Sequence, residues 1–532
     1  MFFLFRPNKC VCRKDNTFVG KNGPIHPEII AIPSDFAPNG GLAFPQRPHP
    51  SAPRRLHSDP AKAVRKLRPR PRTERPVLPK TVFPAGAEPC GSEFESVRTG
   101  AVSGRSFRTG ANETFTIFVP MITYRKKILD NGLRVVVNRD RSSKLAAVNM
   151  LYAVGARDEN PARTGFAHLF EHLMFRGTRD VPDFDLPVQM ACGDNNAFTN
   201  NDYTDFYITL PKDNIETALW LEADRMTGLD ISPEALETEK RVVIEEYKQR
   251  YLNQPYGDQG MLLRSLVYTL HPYRWATIGL TPDHVARATI DEVRAFYRRW
   301  YHPSNAILSV SADIDEERVF ELAERYFAPI ADTPSAAGPL PAEPEQTTER
   351  RLEVERDVPA TAVTVAYPMG DRLSRDFYLG DMASDILSGG DSARLYERLV
   401  KRDRLFSSVN AYITGDVDPG LFVLTGHLLP GRTVEEAEAA FAREIEEMQT
   451  LPASDYEIEK VKNKFEANAL FGELNVMNKA MNLGYYEMLG DPGLVNREVE
   501  LYRSVTAAEL TDFARRTFRA ARRSTLIYRA TR

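Results

Sequence analysis

Beyond Ile122 the chain settles into regular alternations of apolar and polar positions. GLRVVVNRD and KLAAVNMLYAVGAR are rich in β-branched residues and bounded by turn formers, which predicts strands. GFAHLFEHLMFRGT changes to a helical period that gathers Phe166, Leu169, Phe170 and Leu173 on one side. NNAFTNNDYTDFYITL then reads as a pair of strands, and IETALWLEADRMTGL and PEALETEKRVVIEEYKQRYL as two helices. The stretch 331–350, ADTPSAAGPLPAEPEQTTER, breaks the pattern with Pro, Ala and acid and predicts a linker. After it the order starts again: TAVTVAYPMGDR parallels AAVNMLYAVGAR, each strand ending in Gly-x-Arg before a helix-like stretch. The repetition predicts an α+β chain of two related α/β domains, each of about 200 residues, spanning 119–330 and 351–532.

Residues 1–118 follow another pattern. They hold nearly half of the prolines and about twice as many basic as acidic residues, with little apolar periodicity. Such a composition buries too little surface to offset the entropy of ordering, so a disordered Pro/Arg-rich extension is expected. Its basic run KAVRKLRPRPRTERPVLPK reads as a solvated tail rather than a nucleic-acid contact. Met121 directly precedes the first strand-like segment and is an alternative start, which would place the extension outside the native product. A net charge of −4 over 532 residues steers no particular partner, nucleic acid included. No apolar run is long enough to span a bilayer, and MFFLF meets Arg6 and Pro7 too early for a signal peptide, so no membrane contact and a cytoplasmic location are expected. Cys10, Cys12, Cys90 and Cys192 give no disulfide framework, and Cys10-Val-Cys12 lacks a second pair to hold a metal.

Two of the nine histidines, His168 and His172, lie one helical turn apart with Glu171 between them. At about 100° per residue the imidazoles fall within about 40° of each other and away from the apolar side, with Thr164 as the expected helix cap. Paired imidazoles suit zinc, which in catalytic sites keeps one position for water and lowers its pKa to about 7. An unligated carboxylate such as Glu171 then serves as general base. A third ligand is sought in EKRVVIEEYK. Glu239 and Glu246 share a helical face with Val242 and Val243 between them, whereas Glu245 points with Arg241 and Lys248 toward solvent. Glu246 is therefore the expected ligand and Glu239 an acid that orients or assists, on a helix started by Ser232-Pro233. The second copy has no histidine pair at the matching place, so the first half is expected to carry the chemistry and the second to complete the enclosure.

The H-x-x-E-H order, with EKRVVIEE about seventy residues downstream and NNAFT between, resembles the pitrilysin and insulinase family of zinc metallopeptidases, especially bacterial relatives of the mitochondrial processing peptidase β subunit. The resemblance runs from Ile122 to the C-terminus and implies domains of the processing-peptidase type. It makes His168, His172 and Glu246 the Zn2+ ligands, Glu171 the base and Glu239 the supporting acid of an endopeptidase that hydrolyses short or unfolded peptides through zinc-bound hydroxide. Asn196 and Ala197 fall on the strand that binds extended substrate by main-chain pairing. Two departures stand out. Cys192-Gly193 replaces paired glycines, a change expected to tighten packing, and Val400 and Ser407 occupy positions where many members carry a substrate-contacting arginine and tyrosine. The resemblance thus implies a zinc-bearing subunit whose partner, in a hetero- or homodimer, supplies Arg and Tyr. The alternative is a noncatalytic structural or assembly subunit of the same fold.

Overall fold

The computed structural model describes residues 103–108, 114–119, 121–333 and 338–531, the first two segments by backbone. Its strands before the linker are β1 (Ser103–Arg108), β2 (Thr114–Val119), β3 (Arg125–Ile128), β4 (Arg134–Arg139), β5 (Leu145–Tyr152), β6 (Asp194–Thr199), β7 (Thr204–Pro211) and β8 (Ala306–Ala312). After it come β9 (Arg350–Arg356), β10 (Ala362–Pro368), β11 (Phe406–Ile413), β12 (Leu421–Leu428) and β13 (Ser524–Ala530). The helices that matter for the site are α1 (Phe166–Leu173), α2 (Ile215–Gly228), α3 (Pro233–Tyr247), α4 (Gln259–Val267), α5 (Arg375–Ser388) and α6 (Val476–Met488).

The duplication expected from the repeated strand pattern appears as topology. The first sheet has the order β3-β4-β8-β5-β7-β6 and the second β11-β12-β10-β13-β9. Read from the other end, the second sheet repeats the first without β3, and each contains one parallel pair, β4 with β8 and β9 with β13, among antiparallel neighbours. The two α/β domains are thus built to one plan.

Both sheets are buried on both faces, which explains the near-continuous apolar runs in their central strands. In β5, Val148, Met150 and Tyr152 enter the core that includes α1 and α2, while Leu151 faces the other way onto Met481, Leu483, Tyr485 and Tyr486 of α6. That helix comes from the second half of the chain. Ser309 on β8 donates to the Ala480 carbonyl at 2.7 Å, an approach made possible by Gly484, whose added Cβ would stand 2.8 Å from the same hydroxyl. The exchange is reciprocal: α4, from the first half, lays Leu263 and Val267 against Ala366, Leu421, Val423 and Leu526 of the second sheet.

Within the N-terminal extension the described backbone forms the antiparallel hairpin β1-β2, which joins neither larger sheet. A lone two-stranded hairpin is at best marginally stable in water. Residues 1–102, including Cys10, Cys12, Cys90 and the basic run, lie outside the described residues. Among those described, no helix is long and apolar enough to cross a membrane.

Candidate metal centre

Helix α1 starts differently from the expectation. Thr164 is not its cap: the Thr164 hydroxyl accepts from the Leu280 amide at 2.8 Å and pairs with His284 Nδ1 at 2.8 Å. Gly165 precedes the helix at φ +90°, where an added Cβ would lie 2.7 Å from the Ile278 carbonyl oxygen. The carboxylate of buried Glu159 takes over the cap, accepting from the Gly165 and Ala167 amides at 2.8 Å each. Burial pushes this carboxyl up to about 8 against the lowering pull of the two amides. Phe166, Leu169, Phe170 and Leu173 sink into the core as their spacing predicts, with Phe170 stacked on Phe296 and Tyr301. The short helix is thus seated by its own core packing and by the Glu159 cap.

Helix α3 packs against α1 and brings the acids. Ser232 caps it, accepting from the Ala235 amide at 3.2 Å. Of the two valines expected between Glu239 and Glu246, only Val243 faces inward, while Val242 is 45% exposed. Glu245 points outward, paired with Lys248 at 2.7 Å. Glu246 turns inward: its Oε2 lies 3.3 Å from His172 Nε2 and 3.7 Å from His168 Nε2. Glu239 Oε2 is 3.2 Å from His172 Nδ1, and its Oε1 is 3.2 Å from Arg176 Nε.

One donor atom each from His168, His172 and Glu246 falls within 4.8 Å of the others. Ligands of a tetrahedral zinc at about 2.05 Å stand about 3.3 Å apart, near the 3.3 and 3.7 Å from Glu246 Oε2 to the two imidazoles. The chemistry of the set fits too. His168 is fully buried and, among the described residues, neither ring nitrogen has a hydrogen-bond partner, an arrangement that costs about 1–3 kcal/mol per orphaned group unless an ion satisfies it. Burial drives the His168 imidazole down to about 3, so it is neutral and has a lone pair to offer. Burial would raise Glu246, but its hydrogen bond to His172 and the nearby His168 and Arg250 hold it at about 2, ionised. Glu171, almost wholly buried, is pushed by burial up to about 7 against the lowering influence of the Thr199 hydroxyl.

The remaining site residues lie on β6, an edge strand that α1 packs over and that pairs only with β7 among the described residues. Asn196, half-buried, pairs in register with Tyr207, and its Oδ1 accepts from the Ala197 amide at 2.9 Å. The Ala197 methyl is buried in the core, so this residue meets anything along the edge only through its main chain. Cys192 does not tighten packing: it is exposed and sits at φ +57°. The cause is a Schellman turn ending the short helix Asp185–Met190, with Cys192 N bonded to Gln189 O and Gly193 N to Val188 O, and Cys192 holding the left-handed position that glycine normally takes. Val400 is half-buried in the turn Tyr396–Arg402, and Ser407 is exposed on β11. The nearby Arg398 is bound to Glu444 and Glu447 at 2.7 and 2.6 Å.

Sequence reasoning passed over Glu159, Arg176, Thr199 and Arg250. Arg250 Nη1 lies 2.8 Å from Glu246 Oε1. Its signal was available, since Glu246 and Arg250 stand four residues apart on one helical stretch; Glu159 and Thr199 carried none.

The family model for insulinase, peptidase family M16, matches residues 134–266, and that for the peptidase M16 inactive domain matches 287–465, together more than half of the chain. Zinc protease PqqE of Helicobacter pylori is 29% identical over 377 residues, covering 68% of this chain and 85% of that protein. The crystal structure of a protease from Helicobacter pylori superposes with a TM-score of 0.73 at 26% identity, covering 77% of this chain and 100% of the other. A peptidase M16 inactive domain from Pseudomonas fluorescens has a TM-score of 0.69 at 16% identity, covering 77% of this chain and 98% of the other, and shows the shared fold. With the duplicated α/β plan and the H-x-x-E-H helix, these matches place the chain in the insulinase family of peptidases, family M16.

Proposed function

We propose that this chain is a zinc-dependent endopeptidase acting on short or unfolded peptides, with His168, His172 and Glu246 as ligands and Glu171 as general base. The observation that carries the reading is the convergence of the three donor atoms within 4.8 Å beside a buried, proton-ready carboxyl. When bound, zinc supplies Lewis acidity that lowers the pKa of water and polarises a carbonyl. Glu171 takes the proton of the attacking water and returns it to the leaving amine. Glu239 accepts from His172 Nδ1, which would fix the tautomer and free the Nε2 lone pair for an ion shared with Glu246. Asn196 and Ala197 offer the open edge of β6 to an extended peptide, whose backbone pairs with the strand, and folded proteins are excluded in that form.

Val400 and Ser407 leave this side of the substrate without arginine or tyrosine, and Arg398 is committed to Glu444 and Glu447. We read this as a site completed by a related but different chain in a heterodimer.

The test is zinc content and peptide hydrolysis on the purified protein, alone and with a related zinc-free chain. Glu171→Gln is expected to keep zinc and lose about 10²–10⁴-fold in turnover. His168→Ala and Glu246→Gln should lose the metal. A wild-type protein that takes up no zinc refutes the peptidase reading, and full activity from the isolated chain refutes the required partner.

A further inference from the structure

The third ligand stands on a helix that ends abnormally. After Tyr247 the backbone widens into a π turn, Lys248–Leu252. Such turns are rare overall but frequent at functional sites, and this chain has a second one at Tyr396–Arg402. Here the turn carries Arg250 back over Glu246, so that the two carboxylate oxygens have different neighbours: Oε1 is 2.8 Å from Arg250 Nη1, whereas Oε2 faces both histidines.

The turn is held in its own right. Gly257 presses against it so closely that an added Cβ would lie 2.6 Å from the Arg250 carbonyl oxygen and 2.8 Å from that of Tyr251. The preceding residue, Tyr256, has φ +62°, a left-handed conformation unusual for a bulky side chain and sustained only where the surroundings enforce it. The surroundings are the second domain. The Tyr256 hydroxyl donates to the Ala360 carbonyl at 2.7 Å and accepts from the Ala360 amide at 3.0 Å, and its ring lies against His427 and Tyr528 with centroids 4.7 and 5.5 Å away.

Resting on the metal-site reading above, we infer that Arg250 is a positioning residue for Glu246 and that the second domain, gripping Tyr256, holds the strap 248–258 that aims it. Arg250 acts through Glu246. It fixes which carboxylate oxygen faces the histidines, and the second domain thereby influences metal affinity without offering a ligand. A guanidinium this close also repels a cation, so the sign of the effect separates the two roles.

The test is zinc affinity of the full chain, measured by competition with a chromophoric chelator, for wild type, Arg250→Ala, Arg250→Lys and Tyr256→Ala, with His168→Ala as reference and circular dichroism as the check on folding. Arg250→Ala should weaken zinc binding on the order of 10- to 100-fold, the usual effect of losing a residue that orients a ligand. Arg250→Lys should recover part of the loss, because an ammonium reaches the oxygen without the planar fork; it also decides the matter if the alanine variant does not fold. Tyr256→Ala should weaken binding in the same direction by less. Unchanged or tighter binding in Arg250→Ala, or a lysine variant no better than alanine, overturns the positioning role, and unchanged binding in Tyr256→Ala overturns the link to the second domain. A wild type that binds no zinc, or a His168→Ala protein that binds it undiminished, overturns the metal reading and this inference with it.

Discussion

Replacing Glu171 with glutamine should stabilise the metal-free protein, by an amount that grows with pH. The side chain is almost wholly buried, and burial raises its carboxyl from the ordinary 4.5 to about 7. Between those values the folded protein holds a proton that the unfolded chain has released. Stability from this group is therefore complete below about pH 4.5, falls as pH rises through the window, and levels off above about 7. Integrated at 1.36 kcal/mol per unit, the loss between pH 5 and pH 8 comes to about 2 to 3 kcal/mol. Glutamine stands in for the neutral acid at every pH and escapes the loss. Urea unfolding of both proteins in a chelator, at pH 5 and at pH 8, measures it: the variant's advantage should widen by about 2 to 3 kcal/mol across the interval. With zinc added, the advantage at pH 8 should shrink, because a cation beside the carboxylate favours its charged form. An advantage that does not change with pH in the metal-free protein would refute the claim that the proposed base is a buried acid paying a desolvation cost.

Gly165→Ala, with its Cβ 2.7 Å from the Ile278 oxygen at φ +90°, should cost about 2–4 kcal/mol in urea unfolding and weaken zinc binding, since α1 cannot then start where it does. Cys192→Gly removes a left-handed penalty of about 1–2 kcal/mol, offset by about 0.5–1 of glycine chain entropy, and should raise stability by about 0.5–1 kcal/mol with zinc affinity unchanged. Glu159→Gln leaves one of the Gly165 and Ala167 amides without an acceptor and should destabilise by about 1–3 kcal/mol, read from the same unfolding curves.

How far the sequence carries depends on the range of the interaction concerned. The central strands, α1, α3 and the repeat follow from short-range periodicity, and the repeat reappears as the matching order of the two sheets. His168 and His172 share a turn, so their approach to one another is a local matter. Glu246 joins them only because α3 packs on α1, yet its inward face was readable from the outward pull of Glu245, Arg241 and Lys248. Glu159 was missed because it caps α1 from six residues before Gly165, outside any helix-start pattern, while Thr164, which fits the pattern, is used by Leu280 and His284 instead. Val242 and Val243 differ by one wheel position, finer than periodicity resolves. The strain at Cys192 was hidden because a Schellman turn favours glycine but admits other residues at a cost.

The stretch 331–350, expected from the sequence as a linker, lies between the strands of the two sheets, but the packing does not divide there, and a split protein makes the difference measurable. On the first sheet, Met481, Leu483, Tyr485 and Tyr486 of α6 cover Val136, Leu151 and Ile307. Four buried side chains at about 1.5–3 kcal/mol each amount to about 6–12 kcal/mol, comparable to the whole stability of an ordinary domain. The loop between β11 and β12 reaches the first domain as well: Asp416 accepts from Asn201 at 2.6 Å, Asp418 pairs with Arg157 at 3.1 Å, and the Val417 amide donates to Asp202 at 3.0 Å. Produced alone, residues 119–330 should therefore expose an apolar sheet face, aggregate or bind a hydrophobic dye, and hold zinc poorly although the chain keeps every proposed ligand. Mixed with residues 351–532 they should recover a cooperative transition and the affinity of the intact chain. If the first half alone unfolded cooperatively and bound zinc as tightly as the whole, the second half would be a neighbour of the metal centre and not part of what builds it.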